Sequence, residues 1–97
     1  MKQYFIANIQ VKDPQVYEKY LQKCDLVFSK YEGRYLAVDD KVKCIEGRHE
    51  YSKTVIIEFP ARRNFEEWYY SKDYQAILGY RLSGADCDSI LVEGNKE

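Results

Sequence analysis

Hydrophobic and polar positions alternate from Tyr4 to Val11. Phe5, Ala7, Ile9 and Val11 share one side, and Tyr4, Ile6, Asn8 and Gln10 the other, as in a strand with apolar residues on both faces. Asp13-Pro14 then predicts a helix start, because the aspartate can accept from free helix amides and proline fits the first helical position. The stripe Tyr17, Tyr20, Leu21, Cys24, Phe28 and Tyr31 advances in steps of three or four, so a helix is expected to run until Gly33. Arg34 to Val38 reads as a strand, Asp39-Asp40 as a turn, and Val42 to Ile45 as the returning half of a hairpin that stops at Gly47. Arg48 to Lys53 is polar and predicts a loop. Thr54 to Phe59 is rich in β-branched residues and predicts a central strand, closed by Pro60. Asn64 to Tyr70 and Asp73 to Leu82 predict one broken helix or two short ones, with the break at Ser71, and Ser89 to Val92 a last strand ended by Gly94.

This order predicts an α+β fold of the ferredoxin-like β-α-β-β-α-β type, a single domain over residues 1–97. Right-handed crossovers put both helices on one face of an antiparallel sheet. The other face keeps Tyr4, Ile6, Ile56 and Leu36 or Tyr35, too much apolar surface to leave wet, and sheet-to-sheet pairing with a second copy is expected to cover it. At 97 residues the core is thin, since a chain this size hides only about 60 to 65 per cent of its unfolded surface, and dimerisation would add to it.

Charge narrows the partners. Fifteen basic and sixteen acidic residues nearly cancel, and no basic run exceeds Arg62-Arg63. Binding to nucleic acid or to an anionic membrane through bulk electrostatics is disfavoured. No apolar stretch of about 18 residues could cross a bilayer, and Met1 to Val11 lacks the continuous apolar core of a signal peptide, so a cytoplasmic location is expected. Cys24, Cys44 and Cys87 are too far apart for a metal knuckle and odd in number, which predicts reduced thiols. His49 stands alone in the polar loop, without a second metal or haem ligand or a nucleophile turn, and no glycine-rich phosphate cradle exists. No metal or cofactor is expected.

Several segments, in order, carry a likeness: Tyr31-Glu32-Gly33-Arg34-Tyr35-Leu36, Ile45-Glu46-Gly47, Val55 to Pro60, Trp68-Tyr69-Tyr70-Ser71-Lys72-Asp73-Tyr74-Gln75 and Leu91-Val92-Glu93-Gly94. Together they resemble the domain of unknown function 1330 family, within the dimeric α/β barrel superfamily. The resemblance implies a ferredoxin-like fold and a homodimer but no mechanism, because the superfamily spans cofactor-free monooxygenases, haem-degrading enzymes, isomerases, dehalogenating enzymes and ligand sensors. Tyr31-Glu32-Gly33 stands where the family usually has a histidine before a glycine pair, and Val38-Asp39-Asp40 where it tends to have arginine and glycines. Functions that depend on those groups do not carry over.

Candidate chemistry centres on Arg81, which lies seven residues beyond Tyr74 on the stripe of Ile77 and Leu78. An inward arginine needs an anion: either Asp86, Asp88 or Glu58 within the protein, or a ligand carboxylate held by the planar guanidinium. Glu58 points away from Val55, Ile57 and Phe59, toward the expected dimer face, with Asn8 and Arg34. It is either a general base with a raised pKa or the partner of Arg34 or of a lysine from the second copy. Tyr17, Tyr20, Tyr35, Tyr69 and Tyr74, with Trp68, form either a polar seam in the core or the lining of a cavity. The expected site therefore takes Glu58 and Tyr74 as proton-moving groups and Arg81, Arg34, Asn8, Tyr35 and Trp68 as ligand contacts. Two readings result: a cofactor-independent enzyme acting on a small aromatic or carboxylated metabolite, or a non-catalytic dimeric module for ligand binding or interaction. The first predicts a cavity beside Arg81, and the second a filled interior with Arg81 and Glu58 fully paired.

Overall fold

A computed structural model of the chain describes residues 1–96. Seven elements follow one another: β1 (Gln3–Val11), α1 (Pro14–Phe28), β2 (Arg34–Asp39), β3 (Lys53–Phe59), α2 (Arg62–Tyr69), α3 (Lys72–Gly84) and β4 (Ala85–Glu93). The four strands make one antiparallel sheet in the order β2-β3-β1-β4, and the fold is α+β and ferredoxin-like. α1 starts as its sequence dictates: the Asp13 carboxylate accepts from the Val16 amide at 3.3 Å, and Pro14 fills the first turn. Ser71 caps α3 in the same way, accepting from the Tyr74 amide at 3.1 Å.

Pairing across β1 sorts the sheet into two faces. Phe5 lies opposite Ile57 and Leu91, and Ala7 opposite Val55, all on the side covered by the helices. Ile6 lies between Ile56 and Ile90, and Tyr4 between Glu58 and Val92, on the open side. Under the helices Phe5, Phe59, Phe65 and Trp68 form an aromatic core with ring centres 5.4 to 6.1 Å apart. Tilted and edge-on arrangements dominate there, as the quadrupoles of the rings favour. α3 comes close to α1 at Gly84, where a Cβ would sit 2.7 Å from the Tyr17 backbone nitrogen. Its carbonyl accepts from both the Lys12 and Asp13 amides. This contact fixes the start of α1 against the end of α3.

Three expectations are corrected. Val42 to Ile45 forms no strand: β2 pairs directly with β3, and the exposed connection between them is tied back through the Val42 amide on the Ser52 carbonyl at 3.1 Å. Its short alternation has no buried surface to face, so nothing holds it extended. α1 ends at Phe28, not at Gly33. The Ser29 hydroxyl bonds to the Leu26 carbonyl at 2.6 Å, Tyr31 lies in the turn beyond, and Val27 rather than half-exposed Leu21 completes the buried face. Gly33 has a different role, since a Cβ there would lie within 2.7 Å of the Phe28 and Phe59 rings. Finally, a bulge between Tyr35 and Ala37 breaks the alternation of β2. Tyr35, opposite Ile57, faces the helices, and Ala37, opposite Ile56, joins the open face.

Candidate functional site

α1 packs chiefly on α3 and stands off from the sheet, with Tyr17 and Tyr20 buried on its inner side. Beneath it lies a cavity of about 560 Å³, bounded by the helix face of β1 and β3, by Tyr35 and Val38 of β2, by Trp68 of α2, and by Tyr74 and Arg81 of α3. Most of its wall is aromatic or aliphatic. The polar groups sit at particular places.

Arg81 lies at the α3 side and is only 3 % exposed. Its Nε and Nη1 have no hydrogen-bond partner, and no carboxylate pairs with it among the described residues. The three internal partners expected from sequence are all engaged elsewhere. Asp86 is 3.7 Å from Lys12, Asp88 accepts from the Tyr51 hydroxyl, and Glu58 holds Arg34 at 3.0 Å and Lys2 at 3.6 Å. Parity explains this, because Asp86, Asp88 and Glu58 lie opposite Gln10, Asn8 and Tyr4, on the side of the sheet away from α3. Burial works to neutralise the guanidinium, but the Tyr74 and Tyr20 hydroxyls and the Cys87 thiol more than offset this and raise its pKa. The site therefore keeps a charged, desolvated arginine, a costly state without a counter-ion.

Next to it, the Tyr20 and Tyr74 hydroxyls share a buried hydrogen bond of 2.7 Å, and the Tyr20 ring carries the Arg81 guanidinium at 5.9 Å. Burial pushes both phenols above their ordinary pKa; for Tyr74 the Arg81 charge works the other way. Both stay protonated, so one of the two protons serves their mutual bond and the other is free to donate. The buried indole Nε1 of Trp68, whose ring centre is 4.2 Å from that of Tyr74, also lacks an acceptor. This end of the cavity offers donors in excess of acceptors.

The other end is different. Tyr35 packs against Phe28 in a tilted arrangement with ring centres 4.5 Å apart and donates to Asp25 at 3.3 Å. The Cys24 thiol points to the same carboxylate at 3.8 Å, and burial with that neighbour pushes its pKa up to about 11, so it is not a thiolate at neutral pH. Lys53, at the start of β3, lines the cavity not at this end but beside Tyr17 near the start of α1, 5.2 Å from its ring centre.

Of the residues expected at the site, Arg81, Tyr74, Tyr35 and Trp68 line this cavity. Glu58, Arg34 and Asn8 do not. Asn8 accepts from the Thr54 hydroxyl at 2.8 Å, and Glu58 is pinned by Lys2 and Arg34, all on the open face. Burial raises the Glu58 pKa, but the Lys2 and Arg34 charges outweigh it and the carboxyl ends below its ordinary value, the opposite of a poised base. Glu58 therefore lies across the sheet from Arg81 and outside the cavity lining. Tyr17 and Tyr20, expected as a core seam or a cavity lining, line it too, as do Lys53 and Cys24, for which no such role was expected. For Lys53 a signal existed: it shares the parity of Val55, Ile57 and Phe59. His49 lies in the exposed connection against Tyr51, and among the described residues no three His, Cys, Asp or Glu side chains converge as a metal site.

The profile of the family described as a domain of unknown function (DUF1330) matches residues 2–95. The chain belongs to this family. No curated protein matches it. Solved structures share its fold at low identity. A protein of unknown function from Rhodopseudomonas palustris is 15 % identical at a TM-score of 0.80, over 99 % of this chain and 84 % of that one. A dimeric ferredoxin-like protein of unknown function from Jannaschia sp. CCS1 is 10 % identical at 0.76, over 97 % and 100 %. SnoaB from Streptomyces nogalater, a cofactor-independent oxygenase, is 11 % identical at 0.68, over 99 % and 95 %. At such identities the likeness establishes the fold, and a function for this DUF1330 member has to be argued from its own cavity.

Proposed function

We propose that this protein is a homodimer that binds a small aromatic carboxylate in the cavity beneath α1. The observation that carries the reading is Arg81, buried and without an internal anion at the edge of a space of about 560 Å³. A cavity of that size is typical for a small ligand. A carboxylate accepting from a free N–H of Arg81 would neutralise the charge with a charge-assisted hydrogen bond. The free phenol proton of the Tyr20–Tyr74 pair and the Trp68 indole N–H supply further donors, while the aromatic walls favour a planar ring. The dimer is supported by the apolar open face and by dimeric neighbours of the same fold.

A second reading, a cofactor-independent enzyme, is favoured by the tyrosine pair. Tyr74, hydrogen-bonded to Tyr20 and set beside a fixed positive charge, is placed to donate a proton to an oxygen that gains charge during reaction. SnoaB supports the compatibility of such chemistry with the fold.

The test is a thermal-shift screen of small aromatic carboxylates against the wild type and Arg81→Ala. A ligand at about a hundred times its Kd should raise the wild-type Tm by about 10 °C or more and leave the variant nearly unmoved. Equal shifts in both proteins would overturn the role of Arg81, and no shift with any member of the series would overturn the binding reading.

A further inference from the structure

The cavity contains a second cation whose position the carboxylate reading does not use. Lys53 opens β3 on the same side as Val55 and Ile57, and its side chain is only 13 % exposed. Among the described residues its ammonium has one nearby anion, Asp40, at 3.8 Å, and that carboxylate is 77 % exposed on the connection after β2. An ion pair so long and so wet holds a lysine weakly. Within the lining, Asp25 is the one carboxylate, and its Oδ1 is taken by Tyr35 and by the Cys24 thiol. An otherwise apolar cavity thus carries an excess of positive charge at two separate points.

Both points lie against neighbouring tyrosines of α1. Lys53 Nζ stands 5.2 Å from the ring centre of Tyr17, and the Arg81 guanidinium 5.9 Å from that of Tyr20, while the two ring centres are 6.0 Å apart. Cations over adjacent rings of one helix face, with a cavity below them, suit a flat molecule with an acidic group at each end. The lysine stem is flexible, so its ammonium can follow the outer group while the guanidinium fixes the inner one.

We propose that Lys53 is a second anchor of the same site and that the ligand is a diacid on an aromatic frame, with one acidic group on Arg81 and the other on Lys53. This rests on the reading of Arg81 as a carboxylate anchor and narrows it from aromatic acids to aromatic diacids.

Calorimetric titration tests it with two matched pairs: benzoate against terephthalate, and 2-naphthoate against naphthalene-2,6-dicarboxylate. Each is titrated into the wild type, Lys53→Gln, Lys53→Arg and Arg81→Gln. In at least one pair the diacid should bind the wild type about tenfold tighter than its monoacid. Lys53→Gln should remove that advantage while leaving monoacid affinity within about twofold, and Lys53→Arg should keep it. Diacids no tighter than monoacids in the wild type, or equal weakening of both by Lys53→Gln, overturn the second anchor. Monoacid binding that disappears in Arg81→Gln would still uphold the first. If no member of either pair binds the wild type, both readings fail together.

Discussion

The hydroxyl of Tyr20 on α1 meets the hydroxyl of Tyr74 on α3 at 2.7 Å, a buried bond that joins the two helices at the wall of the cavity. Tyr74 is almost wholly enclosed, and its ring packs on Trp68. Removing either hydroxyl leaves the other without its partner in a desolvated place, at a cost of about 1 kcal/mol or more. Tyr74→Phe and Tyr20→Phe should therefore each destabilise, and the double variant should cost less than the two single changes together. Urea unfolding of all four proteins measures the coupling. Strict additivity would mean that the bond contributes nothing to the joining of the helices.

Arg81 makes the opposite expectation for stability. A buried guanidinium with no internal counter-ion costs desolvation energy that an apolar side chain of similar length does not. Arg81→Met should leave the ligand-free protein as stable as the wild type or more stable by about 1 to 3 kcal/mol, while abolishing the binding of aromatic carboxylates. Loss of stability on denaturant titration would instead identify the arginine as a structural member of the core.

How far the chain could be read without coordinates depends on which interactions are local. The strands β1 and β3, the Asp13-Pro14 start of α1 and the Ser71 start of α3 follow from alternation and capping, which act within a few residues. Arg81 was legible as an inward arginine because its stripe is periodic. Its lack of a partner was not, because whether Asp86 and Asp88 reach it depends on the strand register that turns them to the other face. The bulge in β2, which brings Tyr35 to the cavity, and the missing strand at Val42 to Ile45 are likewise outcomes of pairing between distant segments. The cavity itself arises from the stand-off of α1, a property of packing that no single stripe encodes.

Acid sensitivity should centre on Asp73. Its carboxylate accepts from the Tyr31 hydroxyl at 2.8 Å and from Lys30 at 3.1 Å, and lies in the first turn of α3, where the helix dipole favours negative charge. The Tyr31 and Ser71 hydrogen bonds, together with Lys30, hold its pKa far below the ordinary aspartate value. A depressed pKa in the folded state means that the unfolded chain binds the proton more readily. The stabilisation is thus complete above the unfolded aspartate range and is lost as pH falls from about 4 toward the folded value. Between pH 2 and 6 the wild type should fall in stability more steeply than Asp73→Asn on the acid side, so that the gap between them narrows. Parallel curves would exclude Asp73 as the group responsible.

The open face of the sheet gives the last expectation. Ile6 lies opposite Ile56 on one side and Ile90 on the other, in a row across three strands, flanked by Tyr4, Val92 and Ala37. Ile90 is 57 % exposed, and the charged pairs of Glu58 with Lys2 and Arg34 lie toward one end of the row. A continuous apolar centre with ionic groups at its margin is the composition of an interface between copies rather than of a wetted surface. In the proposed dimer, Ile56→Asp would place an unpaired carboxylate in the middle of that contact, at a cost of several kcal/mol, yet in a single chain the same residue is partly exposed and its change should leave the fold intact. Sedimentation or light scattering should find a dimer for the wild type and a monomer for the variant, with unchanged far-ultraviolet circular dichroism. A wild-type protein that is monomeric at tens of micromolar, or an Ile56→Asp protein that remains dimeric, would refute sheet-to-sheet pairing. Because the cavity lies on the other side of the sheet, the monomeric variant should still bind an aromatic carboxylate at Arg81 if one chain suffices for the site.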